Sequence, residues 1–292
     1  MTVRIQSAST WQSPHGRPLP AVGGRTLIMG ILNVTPDSFS DGGQLPTPQA
    51  VVDRAGALLA AGADVLDIGG ESTRPGAASL SAAEETDRVL PAVTAVRRAF
   101  RDAPISIDTY KAVVAEAVIR AGADIVNDIW GGTHGLTIEQ RNHWTAAQRR
   151  GEALPAALPR SPMAAAAAAL GCPLILMHNR PDRNYGDFLA DVILDLCLSL
   201  ALAREAGVPE HQIWLDPGFG FAKEPAQNLE VLKNLHRIVA LGYPVMLGTS
   251  RKSTIGRVLG APVDEREVGT GATLAWGVQQ GCAMVRVHDV AA

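Results

Sequence analysis

The chain has 292 residues, 47% hydrophobic and 19% charged, which suits one large α/β domain or two small ones. Its net charge of −3 argues against a nucleic-acid surface or a polybasic membrane patch. The three cysteines show neither metal-site spacing nor a disulfide framework, so we expect a cytoplasmic protein. No signal-peptide pattern and no apolar run of transmembrane length is present, so we expect no membrane partner.

The first predicted strand is the apolar run 27–32, which is too short for a helix and typical of a strand buried on both faces. Before it lies a Ser-, Pro- and Gly-rich extension, 1–25, expected to form a small hairpin that closes one end of the fold. The run ends at Asn33, and a polar loop that contains Phe39 follows it. A buried strand that leads into a polar loop is a common way for α/β enzymes to present a site.

The pattern of a short apolar strand followed by a helix recurs along the chain. Further strands are predicted at 63–68, 105–108, 123–126, 173–177, 213–215, 244–247 and 284–287. Helices are predicted at about 48–61, 81–100, 111–120, 162–170, 187–206, 226–241 and 264–280. Thr47 with Pro48, and Ser81 with Glu84, give the first two helices recognisable N-terminal caps. Glycines mark the ends of six helices: Gly62, Gly122, Gly171, Gly207, Gly242 and Gly281.

Two regions depart from this repeat. Residues 133–160, between the fourth and fifth strands, contain Trp144, several prolines and basic residues, and predict an insertion with some helix. A surface element is the favoured interpretation of this insertion, and a functional lid is the alternative. The chain stops at Ala292, just after the eighth strand, so the final helix of the repeat is expected to be missing.

Eight βα units predict an α/β fold of the (β/α)8 or TIM-barrel type, with residues 1–292 forming a single domain. In such a barrel the site lies at the carboxyl ends of the strands. A doubly wound open sheet is the main alternative, but it would bring fewer strand ends to one site.

Six predicted strands end on polar residues: Asn33, Asp108, Asn127, His178, Asp216 and His288. Each one alone is explained equally well by hydrogen bonding to a loop backbone. With the cations Arg74, Lys252 and Arg286, the set suits a highly charged anion such as a diphosphate. The Asp and Asn ends offer acceptors and an amide for a flat heterocycle with several N–H groups. Three phenylalanines offer rings that pack against an aromatic ligand: Phe39, Phe219 and Phe221.

Other catalytic patterns are absent from the sequence. There is no Ser/His/Asp order, no reactive-cysteine setting and no zinc spacing, and GTSRKS lacks the P-loop spacing. The strand ends therefore favour transfer chemistry at a diphosphate ester over acyl hydrolysis.

Eight stretches in order resemble the dihydropteroate synthase family, the sulfonamide target of folate biosynthesis: GILNVTPDSFSDGG, GADVLDIGGESTRPGA, SIDTYK, ADIVNDI, LMHNR, LDPGFGFAK, GTSRKS and VRVHDV. They cover nearly the whole barrel. The resemblance implies a transferase that condenses 6-hydroxymethyl-7,8-dihydropterin diphosphate with p-aminobenzoate, giving 7,8-dihydropteroate and diphosphate. Since the family usually dimerises through its last helices, we expect a homodimer.

The resemblance also implies roles for individual residues. The pterin ring would be bound by Asp108, Asn127, Met177, Asp216, Gly248, Lys252 and Arg286. The diphosphate would contact Asn33, Thr73, Arg74, Arg286 and His288, with Mg²⁺ held by Asn33. The p-aminobenzoate would contact Phe39, Thr73, Pro75, Phe221, Lys252 and Ser253. The catalytic residues would be Arg74, Asp108, Lys252 and Arg286.

The implied mechanism is dissociative substitution, in which diphosphate leaves before the weakly basic aniline nitrogen attacks, with the loops closing in order. Two other functions stay open. A methyltetrahydrofolate methyltransferase domain is expected to lack ESTRPG and SRKS, which are present here. A binding paralogue would keep the pterin pocket without catalysis.

Overall fold

The computed structural model describes residues 11–35, 47–72, 78–151 and 158–292. In that part of the chain, eight parallel strands form one sheet. The strands are β1 (Leu27–Asn33), β2 (Val65–Gly69), β3 (Ile105–Asp108), β4 (Ile125–Asp128), β5 (Leu174–Met177), β6 (Ile213–Asp216), β7 (Met246–Leu247) and β8 (Met284–Val287). Nearly all of their residues are buried, because one face of each strand packs inside the barrel and the other against helices.

The sheet closes on itself. Its strand order is β6-β5-β4-β3-β2-β1-β8-β7, and the two ends of this order meet through a parallel bridge between Leu215 and Val245. The Leu215 amide also donates to the Pro244 carbonyl over 3.0 Å, just before β7. The predicted (β/α)8 barrel is confirmed, and the open doubly wound sheet is wrong.

The helices of the described residues surround the barrel. They are α1 (Pro48–Ala60), α2 (Ala82–Ala99), α3 (Ala112–Arg120), α4 (Ile138–Arg149), α5 (Pro162–Leu170), α6 (Phe188–Glu205), α7 (Pro225–Lys233), α8 (Leu235–Val239), α9 (Ser253–Leu259) and α10 (Glu267–Gln279). The Thr47 hydroxyl caps α1, and Ser81 with Glu84 forms the predicted capping box of α2. Within the described ranges, no helix combines the length and the apolar character needed to cross a membrane.

The structure differs from the prediction after β6. The predicted helix 226–241 is divided into α7 and α8 at Asn234, whose φ of −110° and ψ of 21° lie outside the helical range. The stretch GTSRKS leads directly into α9, which the sequence pattern does not predict. The last predicted helix begins later, at Glu267, after a 3-10 turn. Residues 288–292, after β8, contain no helix.

Two helices, α4 and α5, connect β4 to β5. Helix α4 begins at a capping box formed by Thr137 and Gln140. Its Trp144 packs with Leu198 and Leu202 of α6 in a small apolar cluster. Helix α5 starts after the Ser161 cap, as predicted, and residues 152–157 lie outside the described part. The described part of the insertion is therefore a surface element packed on α6.

An apolar floor fills the amino-terminal half of the barrel. Its inward-pointing side chains are Leu27, Met29, Val65, Ile125, Ile175, Trp214, Met246 and Met284. From the extension, Val22 and Trp11 join this cluster, and the Trp11 ring centre lies 4.6 Å from that of Trp214. Residues 11–26 form turns and no strand, so the predicted hairpin is absent from that part of the extension. The extension nevertheless closes the amino end of the barrel.

A buried carboxylate, Asp124, fixes the extension in place just before β4. Its Oδ1 accepts from the Ser13 hydroxyl at 2.6 Å and from Arg17 Nε at 3.0 Å. Its Oδ2 accepts from Arg97 Nη2 at 2.7 Å and from the Ile105 amide at 2.9 Å. Both oxygens are satisfied and two guanidinium groups face the buried charge, so this contact holds the extension against the amino end of the barrel.

Candidate active site

Polar side chains lie directly above the apolar floor, towards the carboxyl ends of the strands. Because side chains alternate along a strand, a residue two positions beyond a floor residue points into the same interior. Four floor residues are followed in this way by polar ones: Val65 by Asp67, Ile125 by Asn127, Trp214 by Asp216 and Met284 by Arg286. The polar strand ends predicted from the sequence thus converge because of strand periodicity.

These side chains line an open cavity with about 380 Å³ of empty space. Its lining residues are Asp108, Asn127, Ile129, Met177, Asp216, Phe219, Phe221, Gly248, Lys252 and Arg286. All but Ile129 and Phe219 are predicted substrate-binding residues, and Phe219 is a predicted aromatic contact.

Arg286 bridges two carboxylates in this cavity. Its Nε donates to Asp67 Oδ2 at 2.6 Å, and its Nη2 donates to Asp108 Oδ2 at 2.7 Å. Burial opposes the positive charge, but the two carboxylates outweigh it and raise the pKa of Arg286 above its usual value. The guanidinium is therefore always charged and is held in one orientation.

The acids of the cavity resist ionisation. Burial raises the pKa of Asp108 to about 7, although the neighbouring Arg286 opposes this shift. Burial also raises the pKa of Asp216, against the hydrogen bond that its carboxylate accepts from the Gly218 amide at 2.6 Å. Strongly perturbed acids in a cavity are characteristic of functional sites.

Lys252 extends along another wall of the cavity. Its Nζ lies 4.0 Å from the centre of the Phe221 ring, a favourable cation–π distance. Burial lowers the pKa of Lys252 to about 8, and the charge of Arg286 adds to that shift. Gly220 has a φ of 85°, and a Cβ there would lie 2.9 Å from Lys252 Cδ, so glycine gives the lysine its room.

Three further predicted residues lie at the carboxyl ends of the strands but outside the cavity lining. Asn33 is the last residue of β1, and its Oδ1 lies close to Gly69 of β2. His288 follows β8, and its Nδ1 lies 2.9 Å from Ser250 Oγ, which ties β8 to the loop after β7. Ser253 is the exposed first residue of α9. These groups form the rim of the site.

Four predicted site residues, Phe39, Thr73, Arg74 and Pro75, lie outside the described residues. The chain that leads to three of them is anchored at Glu71. This carboxylate accepts a hydrogen bond from the Tyr110 hydroxyl at 3.1 Å and forms an ion pair with Lys111. Lys111 also pairs with the buried Glu85 at 2.5 Å. The start of the loop between β2 and α2 is therefore held against α2 and the start of α3.

Sequence reasoning did not assign Asp67 to the site. This fully buried acid of β2 accepts from Asn127 Nδ2 at 3.1 Å as well as from Arg286, whereas its Oδ1 has no hydrogen-bond partner among the described residues. A signal was present, because Asp67 is the single charged residue within the otherwise apolar strand VLDIG.

His178 does not belong with the other strand ends. It follows Met177, which lines the cavity, so alternation turns its side chain outward. Its Nε2 lies 3.1 Å from Asp195 Oδ2 of α6, and its Nδ1 lies 2.7 Å from Lys223 Nζ. Grouping His178 with the inward-facing polar ends was therefore wrong.

Comparison with known proteins identifies the family of this chain. The family model for pterin binding enzymes matches residues 29–288. The dihydropteroate synthase of Bacillus subtilis (strain 168) is 49% identical over 266 residues, which cover 91% of this chain and 84% of the relative. The chain belongs to the dihydropteroate synthase family of pterin binding enzymes. The relative from Clostridium beijerinckii is 46% identical over 92% of this chain and 91% of its own length.

Solved dihydropteroate synthases share the fold. The enzyme from Clostridium difficile, solved in the presence of pteroic acid, has a TM-score of 0.80 and 41% identity, covering 92% of this chain and 93% of its own. The Xanthomonas albilineans enzyme, solved with 4-aminobenzoic acid, has a TM-score of 0.82 and 36% identity, covering 98% and 94%. The function predicted from the sequence, dihydropteroate synthesis by a transferase of folate biosynthesis, is confirmed.

Proposed function

We propose that the polar cavity binds the ring of 6-hydroxymethyl-7,8-dihydropterin diphosphate. The observation that carries the proposal is the polar layer of Asp108, Asn127 and Asp216 in one cavity beside Arg286. A pterin ring presents several N–H donors in one plane, and carboxylate and amide oxygens are acceptors for them. Met177 and Gly248 leave a slot for the flat ring, and the charged Arg286 stacks on it.

The diphosphate would extend towards the rim. Arg286 and Lys252 offer positive charge from the cavity, His288 lies at the rim, and Arg74 would add a further guanidinium. These groups would neutralise the charge that develops on the leaving diphosphate, which is the largest contribution that such a site can make to the rate.

Asn33 is suited to hold Mg²⁺ beside this diphosphate. Mg²⁺ prefers oxygen ligands and is commonly held by few side chains together with substrate phosphates and water. Asn33 ends β1 with its Oδ1 beside Gly69 of β2, at the carboxyl end of the barrel, and one amide oxygen together with the diphosphate and water is a ligand set of this kind. When bound, the ion would offset charge on the leaving group.

The p-aminobenzoate would bind next to Phe221 and Lys252, with Ser253 at the start of α9 and with Thr73, Pro75 and Phe39 completing the site. An ammonium and an aromatic ring that lie next to each other suit a benzoate, which has a carboxylate and a flat apolar body. The relative solved with 4-aminobenzoic acid has the same fold, which supports a second substrate of this kind.

The chemical step is a substitution at the methylene carbon of the pterin. The bond from this carbon to the diphosphate oxygen breaks first, and the electron-rich ring stabilises the resulting cation. The aniline nitrogen then forms the new bond and loses a proton to solvent. No strong general base is needed, and positioning by the loops supplies much of the rate. Positional isotope exchange within the diphosphate in the absence of p-aminobenzoate is the expected signature.

The test is the release of diphosphate from the dihydropterin diphosphate with Mg²⁺, with and without p-aminobenzoate. We expect the parent to release diphosphate when p-aminobenzoate is present, and Lys252→Ala to lose about 10²–10³-fold in rate. Lys233→Ala, at an exposed lysine of α7, is the control and should behave like the parent. Binding of pterin without release would instead indicate a binding paralogue.

We further propose that the chain forms a homodimer through its last helices. Large exposed hydrophobic side chains cluster between α7 and α10: Leu229, Val258, Leu259, Val263, Val268, Trp276 and Val278. Such a surface is typical of a protein interface, and Trp276 Nε1 ties α10 to α7 through the Leu232 carbonyl at 2.9 Å. Val268, 86% exposed, is the residue to change. Val268→Asp should give a monomer in light scattering, and an unchanged dimer would place the interface elsewhere.

We also propose that sulfonamides compete with p-aminobenzoate at this site and that the protein is cytoplasmic. A Yersinia pestis relative, 35% identical with a TM-score of 0.77, was solved in complex with a sulfonamide drug. The three cysteines are free thiols, as expected in a reducing compartment. Inhibition that p-aminobenzoate reverses would support the first proposal, and inhibition independent of its concentration would contradict it.

A further inference from the structure

A buried polar network lies behind one wall of the cavity, out of reach of the substrates. Its centre is Lys223, whose Nζ is within hydrogen-bond distance of three acceptors. These are His178 Nδ1 at 2.7 Å, the Gly218 carbonyl at 3.0 Å and the Phe221 carbonyl at 3.1 Å. Burial lowers the pKa of Lys223 to about 7, yet only the ammonium form has three N–H groups for these acceptors.

The contact with Lys223 also fixes the tautomer of His178. Since the ammonium donates to Nδ1, the imidazole proton lies on Nε2 and is donated to Asp195 Oδ2 at 3.1 Å. Burial, together with the charge of Lys223, lowers the pKa of His178 to about 3, so the ring is neutral. Arg180 Nε donates to the same Asp195 oxygen at 2.6 Å, which anchors the network to α6.

The network holds the loop that connects β6 to α7. This loop forms one wall of the cavity through Phe219 and Phe221. A Cβ on Gly218, whose φ is 66°, would lie 1.9 Å from the His178 carbonyl, so the loop crosses the end of β5 in direct contact. Lys223 Nζ donates hydrogen bonds to the carbonyls of Gly218 and Phe221, which stand at the two ends of one turn. A side chain without hydrogen-bond donors cannot replace the lysine in this role.

We propose that Lys223 is a positioning residue for p-aminobenzoate, acting through Phe221 and supported by His178 and Asp195. The inference rests on the proposed function, because it requires Phe221 to contact that substrate. Without the ammonium, the Phe221 carbonyl loses its donor and the ring is free to move relative to Lys252. The pterin acceptors Asp108 and Asn127 belong to β3 and β4 and stay in place. The third acceptor, Asp216, is the last residue of β6, and its backbone is held by pairing with β5, where its carbonyl accepts from the His178 amide at 2.9 Å.

The test compares Lys223→Met with the parent and with two controls, all assayed below pH 7. Lys233→Met removes an exposed lysine at the opposite end of α7, and Asp124→Asn weakens the distant contact at the amino end of the barrel. We expect Lys223→Met to raise the KM for p-aminobenzoate at least about tenfold. The KM for the dihydropterin diphosphate should change less than about twofold, as should both constants in the two controls.

Several outcomes would overturn the proposal. A Lys223→Met enzyme that melts earlier but keeps both KM values has lost only stability, as Asp124→Asn should. An equal rise of both KM values would mean general loosening of the site. If Lys223→Met does not fold, Lys223→Gln, which keeps an amide donor, must still raise the KM for p-aminobenzoate selectively. A parent that releases no diphosphate would instead overturn the proposed function, and this inference with it.

Discussion

Two buried carboxylates, at opposite ends of the barrel, are bound in different ways. Asp124 at the amino end has four donors shared between two satisfied oxygens. Asp67 at the carboxyl end shares one oxygen between Asn127 and Arg286, and its other oxygen has no partner in the described part of the chain. The hydrogen bonds of Asp124 are therefore complete within the protein, whereas those of Asp67 are not.

The difference shows how this barrel separates stability from function. A buried acceptor without a partner costs free energy, so a fold tolerates it where a ligand or a reaction benefits. At the amino end of the barrel, the buried polar groups fix the extension. At the carboxyl end, one oxygen of Asp67 is left to accept a further hydrogen bond. Changes at the two ends should therefore affect different measurements.

The largest expected effect is at the carboxyl end, from Arg286→Gln. This change removes the bridge between two carboxylates and a cation for the diphosphate, so we expect kcat/KM to fall about 10³-fold. Arg286→Lys keeps the charge but cannot bridge both acids with one planar group, and should recover only part of this loss. Full recovery with lysine would show that charge alone matters. Steady-state kinetics of diphosphate release provide the measurement.

The corresponding change at the amino end is Asp124→Asn. It leaves Arg17 and Arg97 without their common carboxylate, so we expect the free energy of unfolding to fall by about 3 kcal/mol. Urea unfolding measures this change. At temperatures where the variant stays folded, kcat/KM should equal that of the parent. A loss of activity in the folded variant would contradict the separation of the two ends.

Residues at the carboxyl end of the barrel should also determine how kcat/KM depends on pH. The site needs Asp108 ionised and Lys252 protonated, with pKa values of about 7 and about 8. The value of kcat/KM should therefore rise as pH approaches 7, and fall above 8, by about tenfold per unit on each side. In Lys252→Arg, the fall of kcat/KM above pH 8 (the alkaline limb of the pH profile) should disappear, because a guanidinium stays protonated. An alkaline limb that persists in this variant would belong to another group.

The smallest expected effect lies on the outside of the barrel. Ser81→Ala removes the hydroxyl that accepts from the Glu84 amide at 3.2 Å at the start of α2. Helix caps of this kind contribute about 1 kcal/mol, so the melting temperature should drop by a few degrees at most. Kinetic constants that shift with this variant would mean that α2 is coupled to the active site.

The sequence was sufficient for the barrel and for most of the cavity. Apolar runs identified all eight strands, six of which were predicted to end on polar residues, and capping residues located the starts of α1, α2 and α5. The family motifs then supplied residue roles that spacing alone left open. These patterns involve residues that are close together in the sequence, and they predict the structure correctly wherever tertiary contacts favour the same conformation.

What the sequence could not supply is the direction of individual side chains. His178 and Asp216 both stand at strand ends, but a shift of one residue decides whether a side chain enters the barrel or faces a helix. Asp67 was overlooked because a strand interior is usually structural. Helix α9 was not predicted because no side chain caps its start at Lys252, so the sequence carries no capping pattern there.

The most direct test of the difference between the two ends is Asp67→Asn, measured for both kcat/KM and unfolding free energy beside Asp124→Asn. Asp67→Asn weakens the charged contact with Arg286 and should lower kcat/KM by about 10–100-fold. Its unfolding free energy should stay within about 1 kcal/mol of the parent, since the oxygen without a partner no longer carries charge. An Asp67→Asn variant that unfolds as readily as Asp124→Asn and keeps the activity of the parent would contradict the account.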